Sequence, residues 1–399
     1  MNRNDIREDL YANISKQKVI NTHSHHLADD DYQNVDLFFI LSHSYPGWMA
    51  SPPGDDAKSI KKYIDDNRCN SYFRWLSAGI KELYGSDITC ENFLKINVCI
   101  KEANKDKLYH IHLLKNVCGY EQIMLDKYDN PCSDNGHADV FKPVYRIDTY
   151  MYGFDRQGKD RDGNCPYDVM QSDILTFEDY VVAIWDSIRR EKERGIVALK
   201  SAIAYERNII FSEVAKDRAQ CAFVSSCPTD TQIFDFQNYI FYEIAKAAEK
   251  NSLPFQIHTG LGCLNNTRAI GLRSLIEYHP SLKFDIFHAG YPWTSDVLAL
   301  MHNYKNVYVN LCWLPLISPW EAKNFIIKAL EVSSVKRICW GCDTWTSEES
   351  LGAVLAIRHV LSEALADMIM DGAIDIEYAK FIAKRILYDN PKELYFTNN

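Results

Sequence analysis

The chain has 399 residues, 47% of them hydrophobic and 25% charged, with a formal net charge of −10 at pH 7. That is the composition of a globular protein, and the acidic balance argues against a nucleic-acid partner, which favours a basic face. The first residues lack the apolar core of a signal peptide and no apolar run is long enough to cross a bilayer, so a cytoplasmic setting with no membrane partner is expected.

A short helix is predicted over residues 5–15. A strand through Val19 and Ile20 follows and ends in His23-Ser24-His25. Side chains alternate faces along a strand, so both imidazoles point one way and can converge on a single ion as neutral nitrogen ligands. His26 then points away. Residues 27–117 repeat no simple unit. Turn chemistry at Tyr45-Pro46-Gly47-Trp48 and Pro52-Pro53-Gly54 alternates there with helical patches at 57–64 and 71–83. This segment reads as an insertion over the first strand, either a packed subdomain or a substrate lid.

From residue 118 a strand–helix rhythm sets in. Strands are predicted to end near Asp126 and Ile147, and a loop rich in Gly, Asp and Arg covers 153–165. A helix opens on Thr176 with Asp179 behind it and stops at Gly195, after which a buried strand ends in Lys200. A helix over 234–250 leads to a strand ending in His258, and one around 272–278 to a strand ending in His288. Helices over 295–304 and 319–332 lead to strands ending at Leu311 and Asp343, and helices at 348–370 and 375–388 follow. Eight strands separated by helices predict one α/β domain over 1–399, a (β/α)8 TIM barrel with a helical insertion after strand 1. An open doubly wound sheet is the runner-up, but no Gly-rich phosphate loop follows the first strand. The cysteines are scattered, which predicts reduced thiols, and Cys339-x-x-Cys342 has no second pair nearby to make a zinc knuckle.

In such a barrel the active site lies at the C-terminal ends of the strands. Those ends carry His23, His25, Lys200, His258, His288 and Asp343. Each has an ordinary explanation alone, such as a buried histidine bonded to a carbonyl or an aspartate capping a helix. Their joint placement points to a metal centre. His110-x-His112 reads as helical, where positions i and i+2 do not share a face, and His137, His279, His302 and His359 fall in loops or on helices.

The pattern resembles the amidohydrolase superfamily, with His23-Ser24-His25, Lys200, His258, His288 and Asp343 matching in order and strand position. Ala198 to Tyr205 and His288 to Trp293 are similar to the amidohydrolase domain that some fungal and plant proteins fuse to a glutamine-synthetase-like domain. Asn21-Thr22 departs from the family, which commonly has Asp-x before the first histidine. The resemblance implies a divalent metal, one or two ions, with zinc ahead of manganese or iron, held by His23, His25, His258 and Asp343. A bound ion lowers the pKa of its water from ~15.7 to about 7. Asp343 would then move the proton, His288 polarise the scissile carbonyl, and Lys200 stabilise the oxyanion or, if carboxylated, bridge a second ion. Tyr205, Arg207, Arg268 and Trp345 lie just beyond strand ends and would bind a small acidic substrate. The expected activity is hydrolysis of a C–N, ester or lactone bond. A uronate-isomerase-like aldose–ketose isomerase and a decarboxylase are the alternatives, and the sequence leaves open whether the chain forms a homo-oligomer.

Overall fold

The computed structural model describes residues 2–170 and 172–397. Eight parallel strands follow chain order: β1 (Val19–Ser24), β2 (Tyr120–Leu125), β3 (Phe141–Arg146), β4 (Ala198–Ser201), β5 (Phe255–Ile257), β6 (Phe284–Ile286), β7 (Val307–Asn310) and β8 (Ile338–Cys339). Each pairs with the next. The seam between β8 and β1 is crossed by Thr22 N–H to Trp340 O at 3.2 Å and Asp343 N–H to His23 O at 2.9 Å. The sheet is thus rolled into the TIM barrel that the eight strand patterns predict.

At the seam a Cβ on Gly341 would stand 2.6 Å from the His23 backbone nitrogen. Only glycine lets the two chain segments run this close. Gly341→Ala is expected to cost ~1–3 kcal/mol by overpacking, read as a lower urea midpoint at unchanged slope. An unchanged midpoint would mean that the seam yields easily to a methyl group.

Helices form where the sequence caps them. Thr176 and Asp179 build a capping box for Phe177–Arg194, Gly195 ends it in the left-handed region, and Phe177, Tyr180, Ile184 and Ile188 turn inward at helical spacing. Thr229 and Gln232 form another box, so the next long helix, Asp230–Lys250, starts four residues before the predicted Phe234. The predicted 375–388 helix is α-helical only over Ile376–Lys384 and continues as a π turn over Arg385–Asp389. Lys216–Val224 is a helix that the sequence reading left out.

The barrel interior is not wholly apolar. Below the mouth, Gln256 donates to Thr22 O (3.1 Å) and to the Tyr395 hydroxyl (2.8 Å), while Asn310 donates to Thr22 Oγ1 (2.7 Å) and Asp285 Oδ2 (2.8 Å). Tyr395 also donates to Asp285, so the final helix, Asn390–Tyr395, plugs the barrel floor with a hydroxyl that this buried network requires.

Between β1 and β2 the chain forms a series of helices with a core of its own, around Tyr32, Ile40, Ile60, Phe73 and Phe93. It is anchored where the helix Ser71–Tyr84 crosses Ser347–Met370. A Cβ on Gly79 would meet Gly352 N at 2.9 Å, so backbone lies on backbone there. No helix among the described residues is long and apolar enough to cross a membrane.

Candidate active site

β1 delivers His23 and His25 to the barrel mouth, and the turn after β8 delivers Asp343. Both imidazole Nε2 atoms face Asp343 Oδ1, from 3.4 Å and 3.3 Å. Those distances exceed a charge-assisted hydrogen bond. Ligand bonds of about 2.0–2.1 Å at tetrahedral angles, however, separate neighbouring ligand atoms by roughly 3.3–3.4 Å. The donor set and its spacing therefore fit one divalent ion held by His23, His25 and Asp343.

The support around these residues fits the same chemistry. His25 Nδ1 sits 2.8 Å from Asp126 O, which fixes its proton there and leaves Nε2 as the free lone pair. Burial and the nearby Lys200 ammonium push the His23 pKa down to about 3, so the ring is neutral as a ligand must be. Asn21, which stands where the family commonly has an acid, accepts from Cys342 N–H (2.9 Å) and donates to Cys342 Sγ (2.9 Å). It holds β1 to the strand-8 turn and explains the buried Cys342 without a metal. Asp343 and His288 adopt left-handed backbones, φ 57° and 61°, each costing about 1–3 kcal/mol. The fold holds both where side-chain direction decides the site.

Two residues expected at the centre take other positions. His258, expected as a ligand, gives Nε2 to the Leu261 carbonyl and turns Nδ1 to His288 Nε2 at 2.9 Å. Neither of its ring nitrogens is left for the ion. His288, expected to polarise substrate, lies behind His258 with Nδ1 on Cys312 O at 3.0 Å, and burial lowers its pKa to about 4. His288, Cys312 and Asp343 form a second group that one ion could join, and Cys312 was not foreseen.

Lys200 lines the pocket from β4, 1% exposed, with no hydrogen-bond partner for Nζ among the described residues and the Phe287 ring centre 3.4 Å away. Burial lowers its pKa to about 8.

The pocket above these groups has a volume of about 190 Å³, well below the ~300–1,000 Å³ of drug-sized sites. Tyr205 and Trp345 stand in its wall, Tyr205 against His258 and Trp345 stacked on His25. Arg207 and Arg268 do not. Arg207 turns into the protein and donates to Gln237 (2.8 Å) and Asn238 (2.9 Å). Arg268 grips Asp296 with two bonds, 2.6 and 2.8 Å. Both guanidinium forks are satisfied by neighbouring side chains, which corrects the expectation that they meet substrate.

The wall holds groups that the strand-end histidines do not point to: Tyr45 and Trp48 from the inserted segment, Arg146 at the end of β3 and Asp148 just after it, and Arg161 and Glu206 from the loops. Arg146 is tied to Asp126 and Asp162. Arg161 lies over the Tyr205 ring at 4.4 Å and has no carboxylate partner among the described residues. Asp148 accepts from Ser201 Oγ (2.6 Å) and Ala202 N–H (2.7 Å), and burial raises its pKa to about 7.

Comparison with known proteins identifies the family. The amidohydrolase family model matches residues 188–397. The chain belongs to the amidohydrolase family. Among curated proteins, protein fluG of Emericella nidulans is 26% identical over 266 residues, covering 59% of this chain and 30% of that protein. A uronate isomerase of Thermotoga sp. (strain RQ2) is 24% identical over 250 residues, covering 56% of this chain and 55% of that one. The chain thus matches about half or less of the length of these two relatives. Among solved structures, the uronate isomerase of Thermotoga maritima superimposes with a TM-score of 0.79 over 98% of this chain and 97% of its own, at 18% identity. That likeness establishes the shared fold. The chain is accordingly an amidohydrolase-superfamily barrel whose mouth can hold a divalent metal.

Proposed function

We propose that this amidohydrolase-family protein interconverts the aldose and ketose forms of a small acidic sugar, a uronate. The observation that carries this reading is the pairing of Arg161, an arginine without a carboxylate partner among the described residues, with Asp148, a carboxyl whose pKa burial raises to about 7, in one small polar pocket. The curated and structural relatives named uronate isomerases support it.

Arg161 would take the substrate carboxylate as a fork. Asp148, ionised, would remove the proton from C2 of the open-chain hydroxy-aldehyde and return it to C1, while the hydroxyl proton passes from O2 to O1. No water is consumed and no electron carrier is needed. A divalent ion held by His23, His25 and Asp343 would polarise the oxygens at C1 and C2 and lower the acidity barrier at the carbon between them. Tyr45 and Trp48, carried in by the inserted segment, would cover the bound sugar, which makes 27–117 a lid as well as a packed unit.

Lys200 favours a second reading, hydrolysis of an amide, ester or lactone. A buried ammonium beside the ligands with no hydrogen-bond partner among the described residues suits a developing oxyanion. One experiment separates the two. Metal-loaded protein is given hexuronates and acidic amides and lactones in ¹⁸O-labelled water. Isomerisation yields the keto acid with an unlabelled carboxylate, and Lys200→Met stays within about tenfold of the parent rate. A labelled new carboxylate, no ketose, and a loss of ~10²-fold or more in Lys200→Met would establish the hydrolase instead.

A further inference from the structure

Outside the barrel mouth, a second set of two histidines and one aspartate converges from three separate stretches of chain. Asp29 lies just beyond β1, His110 on the short helix Tyr109–His112 before β2, and His137 in the loop between β2 and β3. Asp29 Oδ1 faces His137 Nε2 at 2.8 Å and His110 Nε2 at 2.9 Å. The ligand-type atoms all lie within 4.8 Å of one another. We infer that Asp29, His110 and His137 form a second, structural site for a divalent first-row transition ion, separate from the catalytic one.

Both imidazoles present Nε2 to the same oxygen of Asp29. His110 is fully buried, and its Nδ1 makes no hydrogen bond among the described residues. A divalent cation bound by the two ring nitrogens and the carboxylate would satisfy all three atoms together. Nitrogen–oxygen separations of 2.8 and 2.9 Å correspond to neighbouring positions of a near right-angled coordination shell with bonds of about 2.0–2.1 Å. His110 is sealed under Tyr32, stacked at 3.9 Å, whereas the side chains of Asp29 and His137 keep 31% and 17% of their surface exposed. The ion thus has a closed inner side and an open outer side where water completes its shell.

Such an ion would do mechanical work. It would pin the chain leaving β1, only a few residues past His25, to the helix before β2 and the loop after it. Asn135 already reaches the same place, donating to His26 O at 2.9 Å and Leu27 O at 3.2 Å. The root of the segment that carries Tyr45 and Trp48 would then be fixed from two sides.

The test is zinc stoichiometry by equilibrium dialysis of three full-length proteins: the parent, Asp29→Ala/His137→Ala, and His25→Ala/Asp343→Ala, in which both barrel-mouth groups lose a ligand. The inference expects the Asp29/His137 variant to bind one ion fewer than the parent. It also expects the His25/Asp343 variant to retain an ion and to melt several degrees higher with zinc than after chelation. Equal stoichiometry in the parent and the Asp29/His137 variant overturns it. So does a His25/Asp343 variant that binds no ion and melts at the same temperature with and without zinc. Neither result depends on which reaction the barrel mouth performs.

Discussion

Asp343→Asn is expected to lower turnover by ~10²–10⁴-fold while the barrel still folds. The carboxylate faces His23, His25 and His288, at 3.4, 3.3 and 3.8 Å. An amide keeps its shape but loses the charge that would hold a cation between the imidazoles. The backbone bond to His23 O survives the change, and asparagine tolerates the left-handed conformation nearly as well as aspartate. Metal content and turnover should therefore fall together in a protein that melts, free of metal, where the metal-free parent does. Near-parental turnover at full metal occupancy would remove Asp343 from the centre of the reaction.

Asp148→Asn should cost a similar factor and, in addition, change two pH profiles. An ionised Asp148 is the form that accepts a proton, so parental turnover should fall as pH drops through about 7. The amide can accept from Ala202 N–H and donate to Ser201 Oγ, so the clamp between the β3 and β4 ends persists. The stability profile has its own sign. The folded pKa, about 7, lies above the ordinary 3.8, so this group's contribution is fully present below about 4 and is lost as pH rises through about 7. The variant should lack that decline and gain on the parent in alkaline buffer. If it keeps both the pH–rate profile and the stability slope of the parent, Asp148 neither titrates in this range nor carries a proton.

Which parts of this molecule could be read from its residues follows from what each signal encodes. Period-two and period-3.6 patterns located all eight strands, and the rule that barrel sites sit at strand ends drew attention to His23, His25, Lys200 and Asp343. The same rule, applied evenly, would have found Arg146 and Asp148 at the end of β3, where attention to histidines hid them. Arg207 and Arg268 show its limit. Strand-end position says where a side chain starts, but the carboxamides of Gln237 and Asn238 and the carboxylate of Asp296 decide where it goes. His258 was misplaced for a related reason, since its partners Leu261 O and His288 depend on a loop path that no periodicity records. Tyr45 and Trp48 reach the pocket only because the inserted helices fold back over the mouth. The turn chemistry there was visible, but its direction was not.

The β8–β1 seam also sets when the centre can exist. Cys342 and His23, 319 residues apart in sequence, sit side by side across it. A chain being synthesised holds His23 and His25 early but has no carboxylate to complete them until the last strand emerges. Closing so long a loop is among the slowest steps of folding, and the two imidazoles wait through all of it. An ion that binds only the closed ring then acts as a latch on the final step, drawing the equilibrium toward closure in proportion to its free concentration. Refolding yield should accordingly track metal supply most steeply at the stage when the first and last strands meet.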